Sequence, residues 1–120
     1  MQWELAEMDG VGALRLTGYL GARVVHRFHG AFDWARARCT GPLVIDLSGL
    51  LGWSQEGEAA IVDAAGRLGT DRSPLMLCGL RDRAAPLFAT GAALGLMRVC
   101  SDLQTALAAL GMTADSQSRP

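Results

Sequence analysis

The sequence contains no lysine: all eleven basic residues are arginine, set against twelve acidic ones for a net charge of −1. The arginines are scattered rather than clustered. The chain therefore lacks the basic stripe that a nucleic-acid surface or an acidic membrane face would need, and the arginine-only usage reads as codon bias. Cysteine is also scarce. Cys39, Cys78 and Cys100 are odd in number and widely spaced, and no two form a Cys-x-x-Cys. That excludes a disulfide framework or zinc knuckle, so they read as small buried hydrophobes. No apolar run reaches the roughly 18 residues needed to cross a bilayer, and no basic-then-apolar leader opens the chain. A reducing cytoplasmic setting without direct membrane insertion is expected.

Catalytic signatures are missing too. There is no G-x-S-x-G elbow, no phosphate-cradling glycine loop and no H-E-x-x-H. Ser48, Ser54 and His26 or His29 make a triad only on paper. The glycines of GVGALRLTG join two strands instead of leading into a helix, which argues against a dinucleotide site. Asp46 sits in a strand with no second carboxylate beside it. His26 and His29, three residues apart, can share a helix face, but no further ligand pair completes a metal site. The expectation is a protein that is not an enzyme, with no metal and no cofactor.

What is present is a globular pattern. The chain has 120 residues, half of them hydrophobic. That fits one domain able to bury roughly two thirds of its unfolded surface. QWELAEM and GALRLTGYL alternate with period two around the turn signal DGVG, which predicts a hairpin. In ARVVHRFHGAFDWARARC, Val25, Phe28, Phe32 and Ala35 recur at helical spacing; Phe32 and Trp34, near its end, are expected in the core. PLVIDL is a buried-type strand. In EAAIVDAAGRLG, Ile61, Ala64, Ala65 and Leu68 form the apolar stripe, Glu58, Asp63 and Arg67 are placed off it, and Gly69 is the expected stop. SPLMLCGL is a further strand. A helix with Pro86 in its first turn follows, then the short strand LMRVC. In the last helix Ser101 and Gln104 have capping-box spacing, and Leu103, Ala106, Leu107 and Leu110 make its buried face. The order β-β-α-β-α-β-α-β-α predicts an α/β fold, a mixed central sheet with helices packed on it. The domain is expected over residues 1–111, with a flexible tail over 112–120.

The informative stretch is GWSQEG, residues 52–57, placed as the loop between the central strand and the next helix. Sites in open α/β sheets gather at that edge. A helix N-terminus presents unsatisfied N–H groups and a partial positive charge. Ser54 suits the cap position, Glu56 and Glu58 suit the first turn, and Gly57 permits a close neighbour. Trp53 can either pack under the helix or stand out as a partner anchor; burial is the expectation, because Trp is highly buried on average.

The pieces LRLTGYL, PLVIDLSGL, GWSQEGEAAIVDA, ATGAALGLMRV and SDLQTALAAL follow one another as in the STAS domain family. That family includes bacterial anti-sigma-factor antagonists and cytoplasmic transporter modules, and the chain resembles it from about Leu14 to Leu110. In its phospho-switch members the strand–helix junction reads Asp-Ser-Ser-Gly, and the second Ser is phosphorylated by an anti-sigma kinase. Gap-free matching through VIDLSGL puts Ser54 on the Asp, Gln55 on the first Ser, Glu56 on the phospho-acceptor and Gly57 on the Gly. Gly21 stands where an acidic residue is usual. The resemblance thus implies a regulatory protein-binding domain that docks through Trp53, Ser54, Gln55, Glu56 and Gly57. Its partner would be an anti-sigma factor or kinase-like ATPase. Glu56 would be either a permanent charge replacing the phosphate or simply a residue that suits the helix dipole. The alternatives it leaves are an accessory subunit on the ATPase of an ABC-type lipid-trafficking transporter, or a scaffold that self-associates through strand edges and through Leu87 and Phe88 of the third helix.

Overall fold

A β-hairpin opens the chain, as the alternation predicts. β1 (Gln2–Met8) pairs antiparallel with β2 (Val11–Leu20), Gln2 against Thr17 through Met8 against Val11. Gly10 in the turn takes φ 82°, a left-handed conformation that glycine adopts without steric cost. The computed structural model describes residues 1–8, 10–68, 74–80 and 85–118, with side chains described as far as residue 110.

After a single 3-10 turn at Ala22–Val24 come α1 (Val25–Arg38), β3 (Leu43–Trp53), α2 (Gln55–Leu68), β4 (Leu75–Cys78), α3 (Pro86–Ala93), β5 (Met97–Val99) and α4 (Leu103–Ser118). The five strands lie in chain order, with β2–β3, β3–β4 and β4–β5 parallel. This is the predicted mixed sheet. Each parallel step needs a crossover, and the intervening helices supply it.

The main core lies between the sheet and α1, α2 and α3. Leu14, Leu16, Ile45, Leu47, Leu75 and Leu77 project from the strands onto Phe28, Phe32, Ile61 and Phe88, all at most 2 % exposed. The Phe28 and Phe32 rings are one helical turn apart, 6.1 Å between centroids. Burying each contributes about 1.5–3 kcal/mol. The expected stripe of α2 is buried as predicted. Pro86 is indeed in the first turn of α3, where its missing N–H costs nothing. Gly69, the expected stop of α2, lies outside the described residues.

On the opposite face α4 covers Val11, Val44, Met76 and Cys78 with Ala106, flanked by Leu103, Leu107 and Leu110. Beside this patch Asp46 is 2 % exposed. Its carboxylate accepts from Arg15 Nε at 3.3 Å, from the Ser48 N–H at 3.0 Å and from the Ser48 hydroxyl at 2.7 Å. Burial first, and then the neighbouring Asp46 carboxylate, push the Cys78 thiol up to about 12.

Three expectations are corrected here. Trp34 is 47 % exposed, because two positions after Phe32 the helix has turned by about 200° and points the side chain away from the core. The cap of α4 is Asp102, whose carboxylate takes the Thr105 N–H at 2.7 Å, in place of Ser101, which bonds the Thr105 hydroxyl instead. That contact holds the Asp102 carboxyl below its ordinary value. Phe88 is buried against the sheet and Leu87 is half-buried, so Phe88 offers no surface for self-association. The tail expected over 112–120 falls where side chains lie outside the described residues, although α4 itself runs to Ser118.

Candidate functional site

The strand-to-helix connection is shorter than GWSQEG suggests. β3 continues to Trp53 and α2 begins at Gln55, so Ser54 alone makes the junction. Its N–H donates to the Leu20 carbonyl at the end of β2, 3.0 Å away. Its carbonyl accepts the Glu58 N–H at 2.9 Å, and its hydroxyl oxygen accepts the Gly57 N–H at 3.2 Å. Ser54 is thus the N-cap expected from its side chain. Gly57 packs directly on β2: a Cβ there would overlap the Leu20 carbonyl oxygen. These contacts seat the first turn of α2 on the sheet's carboxyl end and leave Gln55 and Glu56 exposed.

Trp53 is half-buried. Its ring lies 5.7 Å from that of Phe88, and its indole N–H donates to Glu58 Oε1 at 3.2 Å. Glu58 is only 5 % exposed, which corrects its placement off the apolar stripe. Its other oxygen accepts the Leu87 N–H at 2.6 Å and the Phe88 N–H at 3.3 Å. Those are amides of the first turn of α3, whose own cap residue, Ala85, contributes no side-chain hydrogen bond. A carboxylate from α2 therefore caps α3 and suits its positive end. The signal was present in the sequence: Glu58, Ile61, Ala65 and Leu68 have helical spacing, so Glu58 belongs to the stripe.

Two further side chains flank the junction without having been picked out from sequence. The β2–β3 register passes from Gly18 against Leu50 to Tyr19 against Gly52. Leu51 is the extra residue between these pairs; an earlier slip, where Arg15 faces Asp46 but Thr17 faces Gly49, has already moved the core phase of β3 from Ile45 and Leu47 to Leu50 and so turned Leu51 outward. Leu50 enters the core at 1 % exposure while Leu51 is 85 % exposed. Tyr19, 53 % exposed, lies beside it and walls a depression of about 260 Å³ with Gly21, Ala22, Arg23 and Val24. The carboxyl end of the sheet thus carries two exposed apolar side chains, Leu51 and Tyr19, and the exposed Gln55 and Glu56 follow at the start of α2.

The other candidates are not brought here. His26 is exposed on α1, and His29 Nδ1 lies 3.3 Å from Arg67, which also pairs with Asp33 at 3.1 Å. Among the described residues no group of three His, Cys, Asp or Glu side chains could hold a metal ion. No described helix is long and apolar enough to cross a membrane.

A family model described as the STAS domain matches residues 2–106. No curated protein matches the sequence. Several solved structures share the fold. One, assigned as an anti-sigma-factor antagonist of Thermotoga maritima, is 13 % identical with a TM-score of 0.72, over 88 % of this chain and 91 % of that one. RsbS of Moorella thermoacetica, carrying a serine-to-glutamate substitution, is 21 % identical with a TM-score of 0.62, over 96 % and 99 %. The anti-sigma-factor antagonist SpoIIAA in its unphosphorylated form is 14 % identical with a TM-score of 0.58, over 98 % of each chain.

Proposed function

The chain belongs to the STAS domain family, and on that premise we propose that it is a cytoplasmic regulator that works by docking on another protein, in the manner of an anti-sigma-factor antagonist. The docking edge is the end of β3 with Ser54 and the first turn of α2. Its partner is an anti-sigma factor or a related kinase-like ATPase. The observation that carries this reading is the irregular β2–β3 register, which leaves Leu51 and Tyr19 exposed on the strands that lead to the first turn of α2. Leu51 and Tyr19 put two large apolar side chains in water at the same end of the sheet as the exposed first turn of α2, which suits a surface that a partner covers.

Glu56 occupies the position of the family's phospho-acceptor in the gap-free match. A phosphoserine there would bring about −1.5 to −2 charge, and Glu56 brings a permanent −1. The helix N-terminus favours either. On this reading Glu56 keeps the edge in one charge state, and docking is not gated by a kinase. Gln55 and Glu56 supply polar contacts, Ser54 and Gly57 hold the helix in place, and Trp53 stiffens the turn from beneath.

The test is affinity capture from native extract with wild type, Leu51→Asp and Glu56→Ser as baits. An anti-sigma factor or kinase-like ATPase that is recovered by wild type, lost with Leu51→Asp and altered with Glu56→Ser supports the reading. Recovery of a transporter ATPase, lost with Leu51→Asp and indifferent to Glu56→Ser, would keep the edge but replace the partner with the ABC-type one. Capture unaffected by Leu51→Asp would remove the edge from consideration.

A further inference from the structure

The docking edge leaves one large feature of the molecule unused. β1 is the first strand of the sheet, so one of its two sides has no strand beside it. Natural sheet edges are usually guarded by short length, a bulge, proline or charged side chains, lysine above all. β1 has no bulge, proline or lysine, and its charged residues are Glu4 and Glu7. It is seven residues long, QWELAEM, and pairs with β2 in unbroken register along its whole length. The helix-side flank of this edge carries exposed aromatic surface. Trp3, 36 % exposed, lies 5.6 Å from Trp34 of α1, which is 47 % exposed. The Arg38 guanidinium sits 5.1 Å over the Trp34 ring, and its Nε is 3.7 Å from Glu7. Trp and Arg are the residue types that dominate interface hot spots.

We propose that β1 pairs with β1 of a second copy of this chain, antiparallel about a two-fold axis normal to the sheet, so that two five-stranded sheets become one. The sequence selects the register. A two-fold axis normal to the sheet keeps the helix layers on the same side, and opposed side chains then share a face, so paired positions must sum to an even number. The register that uses all seven residues centres on Leu5. Gln2 then faces Met8, Trp3 faces Glu7 and Glu4 faces Ala6, with no like charges opposed. Sliding two residues one way sets Glu4 against Glu4, a destabilising pair. Sliding two residues the other way leaves Gln2 and Trp3 beyond the paired strand. The centred register also places Glu7 of the second copy opposite Trp3. Each Glu4 keeps Arg15 of its own β2 as its cross-strand neighbour. The self-complementarity lies in Trp3, which faces Glu7 of the other copy and the Arg38 that Glu7 pairs with, and that commits the edge to a second copy. The dimer depends on no part of the docking reading.

Sedimentation velocity of the full chain, over a concentration series reaching the hundred-micromolar range, tests it. Wild type is expected to move toward twice the 12.7 kDa of one chain. Ala6 is exposed on β1, and its substitutions separate pairing from folding. Ala6→Glu sets two symmetry-related carboxylate pairs against Glu4 and should weaken the dimer about tenfold, whereas Ala6→Lys should tighten it by a similar factor. Far-UV circular dichroism checks that both variants keep the fold. A monomer throughout the series overturns the proposal. So does a dimer that both variants leave unchanged or shift in the same direction.

Discussion

Asp46 and Glu58 are both carboxylates at 5 % exposure or less, in different regions of the molecule. Asp46 lies on the α4 side of the sheet and is held by a cation, Arg15, and by the backbone and hydroxyl of Ser48. Glu58 lies between α2 and α3 and is held among the described residues by neutral donors alone: one indole N–H and two backbone amides. The pairing that looks stronger on paper is the less demanding one. Arg15 is 50 % exposed, so water screens its pair and can replace it. The donors around Glu58 include buried amides that water cannot reach as freely, and a buried amide left unpaired is costly. The region built from neutral hydrogen bonds should therefore be the more sensitive, and it is the one that underlies the docking edge.

The largest effect expected is that of Glu58→Leu. It supplies the apolar residue that the stripe suggests but orphans the Trp53, Leu87 and Phe88 donors, at a cost of about 2–4 kcal/mol in urea unfolding. Glu58→Gln keeps an acceptor oxygen and should recover much of that loss. Arg15→Ala comes next, at about 1 kcal/mol, because Asp46 retains both Ser48 donors. If Arg15→Ala proves the costlier, the comparison is reversed.

A smaller effect lies in alkaline pH and sharpens the Asp46 side. The Cys78 thiol is raised in the folded state from 9.0 to about 12. Folding therefore favours the neutral thiol, and the stability this gives is fully present below pH 9 and lost as pH climbs toward 12. Cys78→Ala should flatten the alkaline part of the stability curve. In the native protein a thiol reagent at pH 8 should modify half-exposed Cys100 well before buried Cys78 and Cys39. Equal rates at all three would show that the Cys78 environment opens readily.

The smallest effect on stability is expected for Glu56→Gln. Glu56 is exposed in the first turn of α2, so losing its charge should cost no more than about 0.3–1 kcal/mol. A destabilisation as large as that of Glu58→Leu would mean that Glu56 is structural, and its proposed part in docking would fall.

The two neighbouring glutamates also mark how far the sequence could be read. Ser54 as cap, Gly57 as the close-approach residue and Glu56 as an exposed first-turn charge follow from local rules, because each depends on a few residues of one helix. Glu58 was misplaced because a carboxylate on an apolar stripe is read as an exception to burial. Only α3, some thirty residues further on, supplies the amides that make the burial tolerable. Leu51 carried no signal at all. Within β3 alone it is one more apolar residue, and it is the mismatch of β3 against β2 that turns it outward. Trp34 shows the opposite error, an aromatic assigned to the core by type although its helical phase points away from it.

The sequence by itself determined the element order, the mixed sheet, the buried stripes of α1 and α2 and the cap at Ser54, because period, turn chemistry and capping are local and repeat along the chain. Only the tertiary structure decided which carboxylates are buried, how short the β3–α2 junction is, which leucine faces water and which strand edge stays open. Those depend on donors, registers and neighbours that residues far apart in the chain provide only once they have packed together.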